Sequence, residues 1–140
     1  MFNFLFDNSW TRQRRAKEIQ RLFEKFKIDP ESKTLKEIEQ FAKNNNRFTR
    51  CYALNTLGRL GNGSRSAIAT VIEALESGDP FVRHAAAEAI FNIARQGDAD
   101  TLGAITEYIG KLVAPSKDYK DESAGAFATR TLDVLKKRNS

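Results

Sequence analysis

His84 and Glu88 come nearest, in type and spacing, to a reactive site in this chain. They stand four positions apart, so they would be neighbours on one face of a helix and could form half of a metal site or an acid–base pair. His84 is the single histidine of the sequence. One histidine and one carboxylate complete neither a tetrahedral metal site nor a catalytic triad. We therefore interpret the pair as part of a solvated helical face and expect no metal, no cofactor and no catalytic residue.

Two further patterns could carry chemistry, and both have simpler interpretations. Cys51, the single cysteine, stands at a position equivalent to His84 in a repeated pattern, which would separate the two by roughly 10 Å, too far for proton transfer. Gly58, Gly61 and Gly63 are spaced like part of a phosphate loop, but no Lys-Ser/Thr follows and no predicted strand precedes them. We expect a bystander thiol, and glycines that permit close helix contact and end a helix.

A repeat with a period of 33 residues indicates the elements that position these side chains. Two segments of the chain, near residues 46–60 and 79–93, begin with the same turn and continue with the same apolar spacing. The corresponding pairs are Phe48 and Phe81, Arg50 and Arg83, Ala53 and Ala86, Leu57 and Ile90, and Leu60 and Ile93. A fixed period of this length is typical of stacked helical arrays, in which each unit buries its apolar face against its neighbours.

Apolar spacing and capping signals predict the individual helices. A first helix over about residues 10–27 has a stripe of Ile19, Leu22, Phe23 and Phe26. The next three are predicted to begin near a Thr34/Glu37 capping box, near residue 48, and at a Ser64 or Ser66 cap. Asp79 is predicted to cap a fifth helix whose buried face is Val82, Ala86, Ala89, Ile90 and Ile93. A degraded third pair is predicted over residues 98–138.

Charge and hydropathy restrict the function classes. The net charge is +5, and residues 1–30 contribute seven basic against four acidic side chains, so most of the excess lies near the N-terminus. A local basic patch can attract phosphates or acidic proteins, but this charge is below that of a dedicated nucleic-acid binder. The sequence has no apolar run of roughly 20 residues and no signal-peptide pattern, so we expect a cytoplasmic protein.

The segment from Asp79 to Ala86 resembles the second-helix signature of HEAT repeats, in particular the subgroup shared with phycobilin-lyase-like proteins. The matching positions are a turn Asp, a Val-Arg pair, a small residue and an aliphatic residue, here Asp79, Val82, Arg83, Ala86 and Ile90. The resemblance implies an all-α, right-handed α-α superhelix of about three helical pairs, with repeats near 31–63, 64–97 and 98–138. It also implies that Arg50, Asp79 and Arg83 are structural residues between successive repeats.

We expect two parts: a basic amphipathic helix over residues 1–30 packed on the first repeat, and a HEAT-like repeat domain over residues 31–140. If the apolar face of the last helix of each pair is buried, the opposite row is exposed. In the second repeat that row is His84, Glu88, Phe91 and Arg95, and its equivalents in the first are Cys51, Asn55, Gly58 and Asn62. The resemblance places such rows on the concave face.

The function that these expectations favour is a non-catalytic protein–protein interaction or scaffold module of unidentified partner. The residues expected to bind the partner on the concave face are Asn55, Arg59, His84, Glu88, Phe91, Arg95 and Arg130. The alternative is nucleic-acid binding, with Arg12, Arg14 and Arg15 contacting the phosphate backbone. A third interpretation, a bilin-handling lyase or chaperone subunit, is implied only by the phycobilin-lyase-like subgroup.

Overall fold

The computed structural model describes residues 9–96 and the isolated positions 103 and 137, and the described residues form helices without a strand. The helices are α1 (Ser9–Ile28), α2 (Ser32–Ala42), α3 (Arg47–Leu60), α4 (Ile68–Ala74) and α5 (Pro80–Gln96). A 3-10 helix (Gly61–Ala67) joins α3 to α4. The predicted all-α class is confirmed for this part of the chain. The third pair, predicted over residues 98–138, lies outside it, apart from the two isolated positions.

The helices form two layers, one containing α1, α3 and α5 and the other α2 and α4. Arg12 near the start of α1 contacts Phe48 at the start of α3, and Phe23 near the end of α1 contacts Arg59 at the end of α3. The two helices are therefore parallel, and α3 and α5 form the most extensive helix–helix contact. In the other layer, the Thr70 hydroxyl donates to Glu39 Oε1 at 2.7 Å and links α4 to α2.

The core lies between these layers and contains the apolar stripes predicted from the sequence. Every predicted stripe residue of α1 and α5 is buried, which confirms the 3.6-residue period on which these stripes were based. The buried set of α5 is wider than predicted and also includes Ala85, Ala87 and Ala94. This helix packs against α3, the 3-10 helix and α4, so small residues let several neighbours approach it at once.

The helix starts show which capping predictions hold. Asp79 caps α5 as predicted, accepting a hydrogen bond from the Phe81 N–H at 2.9 Å. Asn46, which was not predicted as a cap, caps α3 and accepts from the Thr49 N–H at 3.0 Å. The capping box is wrong, because α2 begins at Ser32 and Thr34 is buried within its first turn. The serine cap is also wrong: the 3-10 helix continues directly into α4, so Ala67 stands at the cap position without a side-chain hydrogen bond.

Two glycines allow α3 to lie against α5 and then to end. A Cβ atom on Gly58 would stand 2.8 Å from the Ala89 Cα, which is closer than two non-bonded carbon atoms approach in proteins. Gly58 therefore lets the backbones of the two helices approach closely at this position. Gly61 has φ +56°, a left-handed conformation that favours glycine, and it terminates α3. Both roles, close helix contact and helix termination, were predicted for these glycines.

Candidate interaction surface

The exposed sides of α1, α3 and α5, which we call the second-helix face, carry the predicted partner-binding row. Asn55 and Arg59 on α3 and His84, Glu88 and Arg95 on α5 are exposed. Phe91 is half-buried, and the Arg95 guanidinium carbon lies 5.7 Å from its ring centroid. Arg130 lies outside the described residues.

One member of the predicted outward row is placed incorrectly by the sequence argument. Gly58 was expected to face outward because it is equivalent to Phe91, but it is buried against Ala89. The physical reason is the sideways contact between α3 and α5. A position lateral to the core stripe faces solvent in an isolated helical pair, but it becomes an inter-helix contact once a second pair stacks alongside.

Arginine side chains cover the exposed phenylalanines at the starts of α3 and α5. Phe48 is 59% exposed and the Arg12 guanidinium carbon of α1 lies 4.6 Å from its ring centroid. Phe81 is 61% exposed and Arg47 of α3 lies over it at 4.7 Å. In both cases the arginine comes from the preceding helix of the same layer. Such stacking contributes about 0.5–1 kcal/mol at exposed sites and aligns neighbouring helices.

A groove lies at the other end of the same layer, where α1, α3 and α5 all terminate. The Phe23 ring lies under two cations, with Lys27 Nζ at 5.0 Å and the Arg59 guanidinium carbon at 4.3 Å from its centroid. The groove is open and has a volume of about 470 Å³. Its lining residues are Phe23, Lys27, Arg59, Leu60, Asn92 and Gln96. Sequence reasoning identified only Arg59 of this set, because the contact between Arg59 and Phe23 depends on how α1 aligns with α3.

The three arginines considered for phosphate contact do not share one side of α1. Arg12 is half-buried over Phe48, whereas Arg14 is exposed and lies 4.9 Å from the Trp10 ring centroid. Arg15 is half-buried, and Arg14 and Arg15 line a second groove together with Phe41 of α2. The sequence cluster is therefore divided between the α3 side and the α2 side of the helix, and Arg12 is already held against an aromatic ring.

The residues expected to connect the repeats make specific polar contacts. Arg50 Nε donates to the Ala42 carbonyl at 3.4 Å and tethers the end of α2 to α3. Arg83 Nη1 donates to the Ser77 carbonyl at 2.6 Å and tethers the turn before α5. Asp79 makes the contact between pairs, because its Oδ2 accepts from Arg47 Nε of α3 at 2.6 Å. Arg47 was not identified from the sequence, although its position next to Phe48 places it in the first turn of α3.

Asp79 links this contact to the pH dependence of stability. The hydrogen bond from Arg47, aided by the Phe81 N–H, holds the pKa of the Asp79 carboxyl below its usual value. We expect Asp79→Asn to lower the free energy of unfolding by about 0.5 kcal/mol at neutral pH, because asparagine keeps the cap and loses the ion pair. Because the pKa of Asp79 is lower in the folded than in the unfolded protein, the ion pair stabilises the fold fully above pH ~3.9, the pKa of the unfolded chain. This stabilisation is lost as the pH falls through the pKa of Asp79 in the folded protein.

Urea unfolding at a series of pH values checks this expectation. The difference between wild type and Asp79→Asn should shrink on acidification, whereas Glu76→Gln, at an exposed carboxylate beyond α4, should leave stability at neutral pH within about 0.5 kcal/mol of wild type. A constant difference between wild type and Asp79→Asn down to the lowest pH would show that the ion pair with Arg47 contributes nothing to stability.

Cys51 and His84 do not form a reactive pair in this structure. Burial, followed by the negative charge of Asp79, raises the pKa of the Cys51 thiol, which is the opposite of what activates a nucleophile. The Cys51 Sγ lies 3.5 Å from the Phe81 carbonyl oxygen, whereas His84 is exposed on α5. Within residues 9–96 no three His, Cys, Asp or Glu side chains are grouped to hold a metal ion.

The two layers differ in charge. α1, α3 and α5 carry seven, three and two basic residues, against two, none and one acidic residue. α2 and α4 together carry two basic and three acidic residues. The positive charge of the described helices is therefore concentrated in the layer that presents the second-helix face. Among the described helices, none is both long enough and apolar enough to cross a membrane.

Comparison with known proteins gives one family. Searches of curated proteins and of solved structures found no match to the chain. The family of HEAT repeats matches twice, over residues 8–90 and over residues 35–111. The first match alone covers more than half of the 140 residues and includes α1, which the repeat motif in the sequence did not reach. The stacked helical pairs of the structure agree with these matches, and the chain belongs to the family of HEAT repeats.

Proposed function

We propose that this HEAT-repeat protein binds a partner protein through its second-helix face and that it acts as a non-catalytic interaction or scaffold module. HEAT repeats commonly act in this way. The observation that carries the proposal is the alignment of three parallel helices that present arginines stacked on aromatic rings. Arginine and aromatic residues are enriched at protein interfaces and among the residues that contribute most to binding.

The packing beneath this face supports the same role. α3 and α5 lie on a continuous buried core and are held together by the Gly58 contact and by the ion pair between Arg47 and Asp79. A surface that is ordered before binding loses little conformational entropy when the partner arrives. The cytoplasm remains the expected location.

Affinity capture from a cell extract, followed by mass spectrometry and by direct binding of the purified partner, tests the proposal. We expect His84→Ala combined with Asn55→Arg to weaken the captured partner about tenfold or more, since both side chains lie exposed in the predicted row. Phe91→Ala should act in the same direction. Glu73→Ala on α4 is the matched control, because it alters an exposed side chain in the other layer. Equal loss in control and test variants would contradict the proposal.

Nucleic-acid binding is the second candidate, and the excess of basic residues in the α1, α3 and α5 layer favours it. Duplex DNA carries one charge per roughly 1.7 Å and therefore rewards a continuous basic track. Arg12, Arg14 and Arg15 point to different sides of α1, which weakens the case for such a track. Strong binding of duplex DNA at low salt, lost in the triple alanine variant of these arginines, would favour this function over protein binding.

The similarity to the phycobilin-lyase-like subgroup is a finer prediction than the family assignment. It rests on the motif from Asp79 to Ala86 alone. Co-expression of the chain with a bilin and an acceptor protein tests it directly. Attachment of the bilin, or its co-purification with the chain, would move the function from protein interaction to chromophore handling.

A further inference from the structure

We propose that the groove at the ends of α1, α3 and α5 binds an acidic segment of the partner protein. This inference rests on the proposed interaction function and adds the chemical class of the ligand. The groove is lined by the residues named above, with Phe23, Leu60 and the amides of Asn92 and Gln96 around two cationic side chains. A peptide with carboxylates and an aliphatic side chain complements these features: its carboxylates suit the cations, its aliphatic side chain the apolar residues, and its backbone the amides.

Two positive charges converge on one ring in this groove. Lys27 and Arg59 both lie within about 5 Å of the Phe23 centroid, and they come from different helices. Lys27 has a carboxylate at 3.8 Å, that of Glu24, whereas Arg59 has no carboxylate partner among the described residues. Like charges brought together repel each other, so an anionic ligand would bind with favourable electrostatic energy at this position.

The stacked geometry leaves Arg59 able to bind a carboxylate. A guanidinium that lies over an aromatic ring uses its flat face for that contact, while its N–H donors point outward in the plane. Such donors match the two oxygens of a carboxylate in a bidentate pair. The Phe23 ring is itself buried and holds the guanidinium in place, which lowers the entropy lost when the carboxylate binds.

The remaining lining residues fit a peptide better than a polynucleotide. Asn92 and Gln96 can donate to and accept from a peptide backbone, and the half-buried Leu60 offers an apolar contact. A stacking platform for bases would need an open aromatic face, but Phe23 is buried beneath its two cations.

A structural role for these cations must be distinguished from ligand binding. Lys27, Arg59 and Arg95 all lie in the last turn of their helices, where positive charge stabilises the helix dipole. If that were their only role, Arg59→Gln would lower stability slightly and change no binding constant. A change in Kd on substitution of Arg59 therefore separates ligand binding from a purely structural role.

The experiment uses the full chain and three synthetic fluorescent peptides in which leucines separate polar residues. The three peptides differ only in the polar residue, which is glutamate in the first, glutamine in the second and lysine in the third. Fluorescence anisotropy measures Kd, and NMR chemical-shift mapping on the nitrogen-15-labelled protein locates the binding site. We expect only the glutamate peptide to bind, with shifts at Arg59 and Gln96. Arg59→Glu should weaken it about tenfold or more, and Arg59→Lys should weaken it less.

Lys33→Glu is the matched control, since it makes the same charge change at an exposed position of α2 and should leave Kd within about twofold. Equal binding of the glutamine peptide at the groove would overturn the acidic class and leave the interaction function intact. Shifts confined to α2 and α4, or no binding by any peptide, would count against both. Displacement of the glutamate peptide by duplex DNA of higher affinity would assign the groove to nucleic acid.

Discussion

Replacement of Gly58 by leucine is expected to lower the free energy of unfolding by about 3 kcal/mol, the upper part of the range for overpacked cores. Any Cβ atom at this position meets the Ala89 Cα at 2.8 Å, and a backbone atom cannot move aside as a flexible side chain can. α3 and α5 would have to separate along their whole contact. The better helix propensity of leucine, worth about 1 kcal/mol relative to glycine, offsets only part of this cost.

Urea denaturation monitored by circular dichroism measures the effect. Gly78→Ala is the control, because no atom lies within 4 Å of a Cβ at that position. Ala89→Gly should not rescue Gly58→Leu, since the closest atom is the Cα that both residues possess. A Gly58→Leu variant as stable as wild type would mean that the two helices are farther apart than described.

Ile90→Ala is expected to lower the free energy of unfolding by about 2–5 kcal/mol, as large-to-small changes in well-packed cores do. Ile90 is 1% exposed and lies in the core together with Leu57 of α3 and residues of α4. The neighbours belong to different helices and cannot collapse together into the space that the lost methyl groups leave.

Ile28→Ala provides the matched control, because Ile28 is the same residue type at the end of α1 and is 86% exposed. We expect that variant to lie within about 0.5 kcal/mol of wild type. The midpoints of both thermal and urea unfolding should place Ile28→Ala close to wild type and Ile90→Ala well below it. A stable Ile90→Ala protein would contradict the assignment of the buried face of α5.

The core could be predicted because its signal is local. Ile19, Leu22 and Phe26 recur at helical spacing, and the same is true of Val82, Ile90 and Ile93, so each stripe is visible within one segment. The cap at Asp79 could be predicted for the same reason, since its side chain and the Phe81 N–H from which it accepts lie two residues apart. Thr34 was misassigned because a threonine with cap spacing is also accommodated inside a helix.

Contacts between helices could not be predicted in the same way. Arg12 reaches Phe48 and Arg59 reaches Phe23 only after α1 and α3 align side by side, and no local pattern encodes that alignment. The sequence therefore identified Arg59 as exposed but not the groove around it. The same cause explains Gly58, whose partner Ala89 belongs to the next repeat. The division into an N-terminal element of residues 1–30 and a repeat domain of residues 31–140 remains a prediction, although α1 lies in one layer with α3 and α5.

The junction between α3 and α4 has a consequence for how the molecule meets its ligands. From residue 47 to residue 74 the backbone passes from α3 through the 3-10 helix into α4, and it changes direction at Gly61. The backbone at Gly63 lies close to the Phe26 ring, since a Cβ atom there would stand 3.0 Å from a ring carbon. Solenoids acquire their curvature from the rotation between successive units. In the described part of the chain a 3-10 helix, and not an irregular linker, joins the two pairs, so their relative orientation is fixed by backbone structure before any molecule binds, and an incoming molecule must match it.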